Sequence, residues 1–132
     1  MSRENVEIVR SIYEAFNRGD WDAAFRDQSP DVELTTPPRG PNAGTYRGRE
    51  EIRKFWDDLL TPLEAWSAHP EEFFERGDRV AVVVTGRMRP KGSSAEIENR
   101  NGHLWTVRDG TVVSVRMFAK PEEALEAAGL SA

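Results

Sequence analysis

The stretch from Arg79 to Phe118 limits what this chain can fold into more than any other. Three long alternating segments follow one another there, at about Arg79 to Arg89, Ala95 to Val107 and Thr111 to Phe118. They are separated by Pro90 to Ser94 and by Arg108-Asp109-Gly110. Successive strands joined by short polar turns pair with their neighbours as an antiparallel meander. One face of such a sheet must be covered, so the helices elsewhere in the chain are expected to lie on it. Strand alternation sorts the faces. With His103 taken as inward, Asn99, Asn101 and Trp105 share its side, and Val82, Val113, Val115 and Met117 belong to the same interior. Arg87, Arg89, Glu98, Arg100 and Arg116 then fall on the outer face, and a β-bulge would shift part of this assignment by one residue. A lone titratable group on an otherwise apolar concave face points to a ligand pocket.

The rest of the chain supplies the cover. Val6, Val9, Ile12, Tyr13 and Phe16 recur at helical spacing and predict a first helix, stopped by Asn17-Arg18-Gly19. Asp20 caps a short second helix carrying Trp21, Ala24 and Phe25, ended by Ser29-Pro30. Asp31 to Thr36 alternates as a half-buried strand, and Pro37-Pro38-Arg39-Gly40-Pro41 opens a loop that runs to about Tyr46. Ile52, Phe55, Trp56, Leu59 and Leu60 mark a third helix, ended by Thr61-Pro62. Phe73 and Phe74 belong to a strand closing at Gly77-Asp78. Pro121-Glu122-Glu123 opens a final helix with Gly129 as its stop. The predicted order is ααβαββββα, an α+β architecture in one domain spanning 1–132.

Composition removes several classes of function. A net charge of -5 speaks against nucleic acid, whose phosphates require a concentrated basic face. The chain has no cysteine, which excludes disulfides and thiol nucleophiles and fits a reducing cytoplasm. No stretch approaches the roughly 18 uninterrupted apolar residues of a membrane span, and Ser2 to Arg10 is too charged for a signal peptide. His69-Pro70-Glu71-Glu72 holds metal-capable side chains, yet one histidine without a second nearby makes a poor site. No phosphate loop, nucleophile elbow or H-E-x-x-H is present, so neither metal nor cofactor is expected.

Several landmarks together resemble the SnoaL-like proteins of the nuclear transport factor 2-like superfamily. They are Asn17-Arg18-Gly19-Asp20, Ser29-Pro30-Asp31-Val32-Glu33-Leu34, Tyr46-Arg47-Gly48-Arg49-Glu50-Glu51-Ile52, Gly77-Asp78-Arg79-Val80 and His103-Leu104-Trp105-Thr106-Val107-Arg108-Asp109-Gly110. The resemblance implies a cone: a bent antiparallel sheet wrapped around three helices, a short C-terminal helix, a pocket at the open end, and a homodimer formed through the outer sheet face. It also implies where catalytic groups would stand. The ketosteroid isomerase base position falls on Thr36, the tyrosine near Ile12 with Tyr13 adjacent, and the second acid on His103. A threonine hydroxyl does not abstract a carbon-bound proton at neutral pH. The cyclase aspartate would lie in Val115-Arg116-Met117, where there is none, and no inward aspartate pair of the epoxide-hydrolase kind is visible.

His103 and Tyr13 are therefore the candidate catalytic residues, His103 as acid/base and Tyr13 or Asn101 as holder of an oxyanion. Phe16, Trp21, Phe25, Thr36, Phe55, Trp56, Leu59, Val82, Asn101, Trp105, Val115 and Met117 are the candidate pocket lining. Three readings stay open at this point. One is acid/base chemistry (isomerase-, cyclase- or dehydratase-type) on a small apolar carbonyl compound. The second is a binder without catalysis. The third is a dimerisation module, in which Trp21, Trp56 and Trp105 would fill the pocket.

Overall fold

Four strands from Leu63 to Phe118 pair in chain order, so the expected meander forms, and its first strand begins at Leu63, ten residues before the Phe73-Phe74 that marked it. The computed structural model describes residues 2–39 and 42–130; Gly40 and Pro41 of the expected loop lie outside them. The elements are α1 (Ser2–Asn17), α2 (Trp21–Phe25), β1 (Gln28–Thr35), β2 (Thr45–Arg47), α3 (Gly48–Leu60), β3 (Leu63–Arg76), β4 (Arg79–Pro90), β5 (Ile97–Arg108), β6 (Thr111–Phe118) and α4 (Pro121–Ala127). They form one curved, open α+β sheet in the order β2-β1-β6-β5-β4-β3. Pairing is antiparallel except between β1 and β6, which run parallel. Among the described residues, no helix is long and apolar enough to cross a membrane.

The main core lies on the concave face. Val9, Ile12 and Tyr13 of α1 and Ile52, Phe55 and Trp56 of α3 pack there against Val80, Val82, Val84, Trp105 and Val115. Burying this apolar face drives the assembly, at about 25 cal/mol for each Å² removed from water. The Asn17-Arg18-Gly19-Asp20 turn does more than stop α1. Gly19 adopts φ +74, and Asn17 Nδ2 donates to the Ala68 carbonyl (2.7 Å) while its Oδ1 accepts from the Ala68 N–H (2.9 Å). This two-bond clamp fixes the end of α1 against β3, and Asp20 Oδ1 then caps α2 by accepting from Ala23 N–H at 3.1 Å.

α4 takes the opposite face. Ala81 and Leu104 of the sheet form a second, smaller core with Ala128, packed by Phe74, Phe118 and Leu125. Gly102 makes this docking possible, since a Cβ there would stand 2.7 Å from Ala124 Cβ and 3.0 Å from Pro121 Cα. The outer face is thus apolar beneath α4 and charged beyond it, where Arg87 and Glu98 pair across β4 and β5 at 2.9 Å.

The structure corrects the sequence reading at four places. Thr45–Arg47 is a strand, β2, where a loop was expected; three residues are too few to show periodicity, and Glu33 and Arg47 hold it to β1. Ser29 and Pro30 do not end α2 but lie inside β1, in an irregular stretch between Gln28 and Glu33. β3 runs through Pro70, which is tolerated because β3 is the sheet edge and the register shifts there. Finally, Thr106 pairs with Ser114 but Val107 pairs with Val112, so Val113 is bulged out. Val112, not Val113, is the inward core residue, fully buried at 0% exposure.

Candidate functional site

β5 carries His103 and Trp105 on the concave face, and α1 brings Tyr13 between them. Trp105 Nε1–H donates to Tyr13 Oη at 2.9 Å, and Tyr13 Oη lies 2.6 Å from His103 Nδ1. All three side chains are buried. The tyrosine and imidazole planes differ by only 3°.

The hydrogen count determines the tautomer. An indole N–H only donates, so Tyr13 Oη accepts from Trp105 and must give its own proton elsewhere. His103 Nδ1 is the acceptor within reach, which leaves the imidazole hydrogen on Nε2. The other tautomer would aim two donors at Tyr13 Oη and orphan a buried O–H, at a cost of about 1–3 kcal/mol. Burial also sets the protonation state. Desolvation lowers the His103 pKa from 6.5 to about 4, so the ring is neutral at pH 7. Burial pushes the Tyr13 phenol above its usual range, only partly offset by the Trp105 N–H, so it stays protonated. Nε2 has no hydrogen bond to the protein among the described residues, and the ring lines the space beside it. The site thus presents a neutral N–H donor to an apolar cavity.

That cavity is walled by aromatic rings. Phe16 sits 4.8 Å from Trp21, 4.6 Å from Trp56 and 4.7 Å from Trp66, centroid to centroid. They leave a narrow, partly open space of about 50 Å³. Two further spaces meet it at His103: one of about 150 Å³ towards Trp66, Gly86 and Met88, and one of about 270 Å³ towards Pro37 and Phe118. Met117 borders all three. Among the described residues, no aspartate or glutamate lines any of them, and no group of three His, Asp or Glu side chains converges as a metal site.

The residues singled out from sequence fall in four places. Tyr13, Phe16, Trp21, Phe25, Trp56, Trp105, Val115 and Met117 line the central cavity with His103. Asn101 and Leu59 line the adjoining space, whereas Thr36 and Phe55 stand apart from His103, around a separate hollow of about 290 Å³. Thr36 Oγ1 is tied to the backbone there, accepting from Gly44 N–H at 2.8 Å. Val82 pairs with His103 across the sheet but is buried core and lines none of these spaces. Sequence reasoning missed Trp66 and Ile52. The signal for Trp66 was its alternation with Ala68, which the β3 bulge interrupts before Phe73.

The sequence pattern described as a SnoaL-like domain matches residues 9–115. The chain belongs to the SnoaL-like family. A protein of Mycobacterium tuberculosis (strain ATCC 25618 / H37Rv), itself uncharacterized, is 24% identical over 122 residues, 92% of this chain and 93% of its own. A nuclear transport factor 2-like protein from Burkholderia xenovorans LB400 is 31% identical, with a TM-score of 0.76 over 97% of both chains. TerC, solved with polyporic acid, is 26% identical with a TM-score of 0.81, over 96% of this chain and 98% of its own. The two solved neighbours share the curved sheet and helices of this SnoaL-like chain.

Proposed function

We propose that this SnoaL-like protein binds a small apolar carbonyl compound, with His103 Nε2–H donating to the carbonyl oxygen. The observation that carries the reading is the Trp105–Tyr13–His103 chain, which fixes a neutral donor facing an aromatic-walled space. A neutral donor polarises a carbonyl and stabilises charge developing on its oxygen. Abstraction of a carbon-bound proton needs a base as well, and these walls hold no carboxylate, so ligand capture is favoured over isomerase- or cyclase-type turnover. The small-molecule complex of TerC is in keeping with a ligand here. The tryptophans narrow the deep end to about 50 Å³, and the spaces on either side of His103 provide the remaining room.

Acetophenone and α-methylstyrene test this, since they differ mainly in C=O against C=CH₂. Binding is read from the tryptophan indole N–H resonances. The ketone is expected to bind about tenfold more tightly, the worth of one hydrogen bond. The ratio should collapse towards one in His103→Phe. Equal affinities in the wild type would overturn the reading.

The same proposal includes a homodimer through the outer sheet face, on the part α4 leaves uncovered. Arg87, Glu98 and Arg100 are exposed there and offer charges of both signs to a two-fold copy. Sedimentation at micromolar concentration is expected to give twice the chain mass; a monomer would rule this out.

A further inference from the structure

Two buried side-chain oxygens lack a hydrogen-bond partner among the described residues: Glu75 Oε2 and Asn101 Oδ1. Glu75 pairs with Val80 across the sheet, away from His103 in the register. Asn101 belongs beside it, two residues earlier on the same face of β5 and about 7 Å away along the strand. It lines both spaces that flank the imidazole. Its orientation is held rather than free. Asn101 Nδ2 donates to Asn99 Oδ1 at 3.2 Å, which turns Oδ1 away from Asn99. The two amides lie together only because residue 86, opposite Asn99, is glycine. A Cβ there would stand 2.7 Å from Asn99 Oδ1 and 3.7 Å from Asn101 Nδ2.

An acceptor that is buried, oriented and unpartnered is costly to maintain, and a ligand donor relieves that cost. A bare carbonyl ligand would leave it unrelieved. The space bounded by Asn101, His103, Trp56, Trp66 and Met88 is lined by no ionised side chain among the described residues, whereas Arg100 borders the other space; the ligand is assigned to the first, where nothing calls for a charge. We infer that the ligand is an uncharged compound carrying a hydroxyl or N–H donor as well as a carbonyl, the carbonyl on His103 Nε2–H and the donor on Asn101 Oδ1. This rests on the carbonyl reading above and adds a second contact point, which selects hydroxy-carbonyl and amide compounds over simple ketones.

The test uses three matched probes on the full chain: acetophenone, 3-hydroxyacetophenone and 3-methoxyacetophenone, titrated while following the indole N–H resonances. The hydroxy compound is expected to bind about tenfold more tightly than either of the others. Asn101→Leu should remove that gain, so that the hydroxy compound binds no more tightly than acetophenone in the same variant. Asn99→Ala, at an exposed position, should reduce the gain severalfold by releasing the Asn101 amide, and it keeps the test decisive if the leucine variant misfolds. If acetophenone binds but the hydroxyl adds nothing, the donor contact is refuted and the carbonyl reading stands. A gain that stays at its full size in either Asn variant likewise refutes the Asn101 contact. Tighter binding of the methoxy compound would mean that the amide turns its NH₂ to the ligand, and would also overturn the inference. Failure of every ketone to bind refutes both.

Discussion

Lowering the pH from 6.5 to 4 is expected to remove about 3 kcal/mol of stability through His103 alone. The imidazole pKa is depressed to about 4 by burial, whereas the unfolded chain titrates it near 6.5. Between those values the unfolded state holds the extra proton and the folded state does not. Stability is therefore full above pH 6.5, falls across this window and levels off below pH 4. The geometry gives the same direction, because protonation would put a hydrogen on Nδ1 against the Tyr13 O–H that points at it, 2.6 Å from oxygen to nitrogen. Urea unfolding of wild type and His103→Asn at pH 7.5 and pH 4 isolates the effect. Asparagine keeps a neutral acceptor for Tyr13 but does not titrate, and carboxylate contributions common to both proteins cancel in the difference. The wild type should lose about 3 kcal/mol more than the variant. Equal losses would mean that His103 is solvated enough to protonate freely, and the neutral donor would lose its basis.

Trp56→Ala is expected to destabilise the protein by about 3–5 kcal/mol. Trp56 is 8% exposed and its ring lies 4.6 Å from Phe16, 5.0 Å from Phe55 and 5.6 Å from Trp66. Removing it leaves three rings facing a void, and the loss combines buried area with a cavity that the rigid sheet cannot close. The vacated volume adjoins the narrow space beside His103. Indole, which matches the deleted side chain, should therefore raise the variant's thermal midpoint and leave the wild type almost unchanged. A loss below about 1 kcal/mol would show that the aromatic cluster is loosely packed. An indole response equal in both proteins would mean that the void had closed.

Much of this architecture is legible in the chain because it rests on short-range rules. Helical spacing of Val9, Ile12, Tyr13 and Phe16, and of Ile52, Phe55 and Trp56, follows from one buried face per helix. The turn at Arg108-Asp109-Gly110 is local too: Asp109 and Gly110 adopt φ of +52 and +78, which asparagine, aspartate and glycine accept most readily. The inward set on β5, with Asn101, His103 and Trp105 together, follows from strand alternation uninterrupted by any bulge from Ile97 to Thr106. What was misread lies where alternation breaks. Val113 and Val112 exchange roles at a bulge in β6, and Trp66 is hidden by the bulge at Pro70–Glu72 in β3. A bulge is chosen by the partner strand, so its position is not written in either strand alone.

The site divides along the same line. Sequence alone determined that one histidine would share a strand face with a tryptophan in an α+β fold of the SnoaL-like kind. Only the tertiary structure decided what that histidine is. Tyr13 and Trp105 are separated by 92 positions in the chain, and their meeting across the core buries the ring, fixes the tautomer and leaves Nε2–H without a protein partner among the described residues. The physical reason is that side-chain periodicity assigns faces, whereas protonation and hydrogen-bond direction depend on partners that only packing brings within 3 Å.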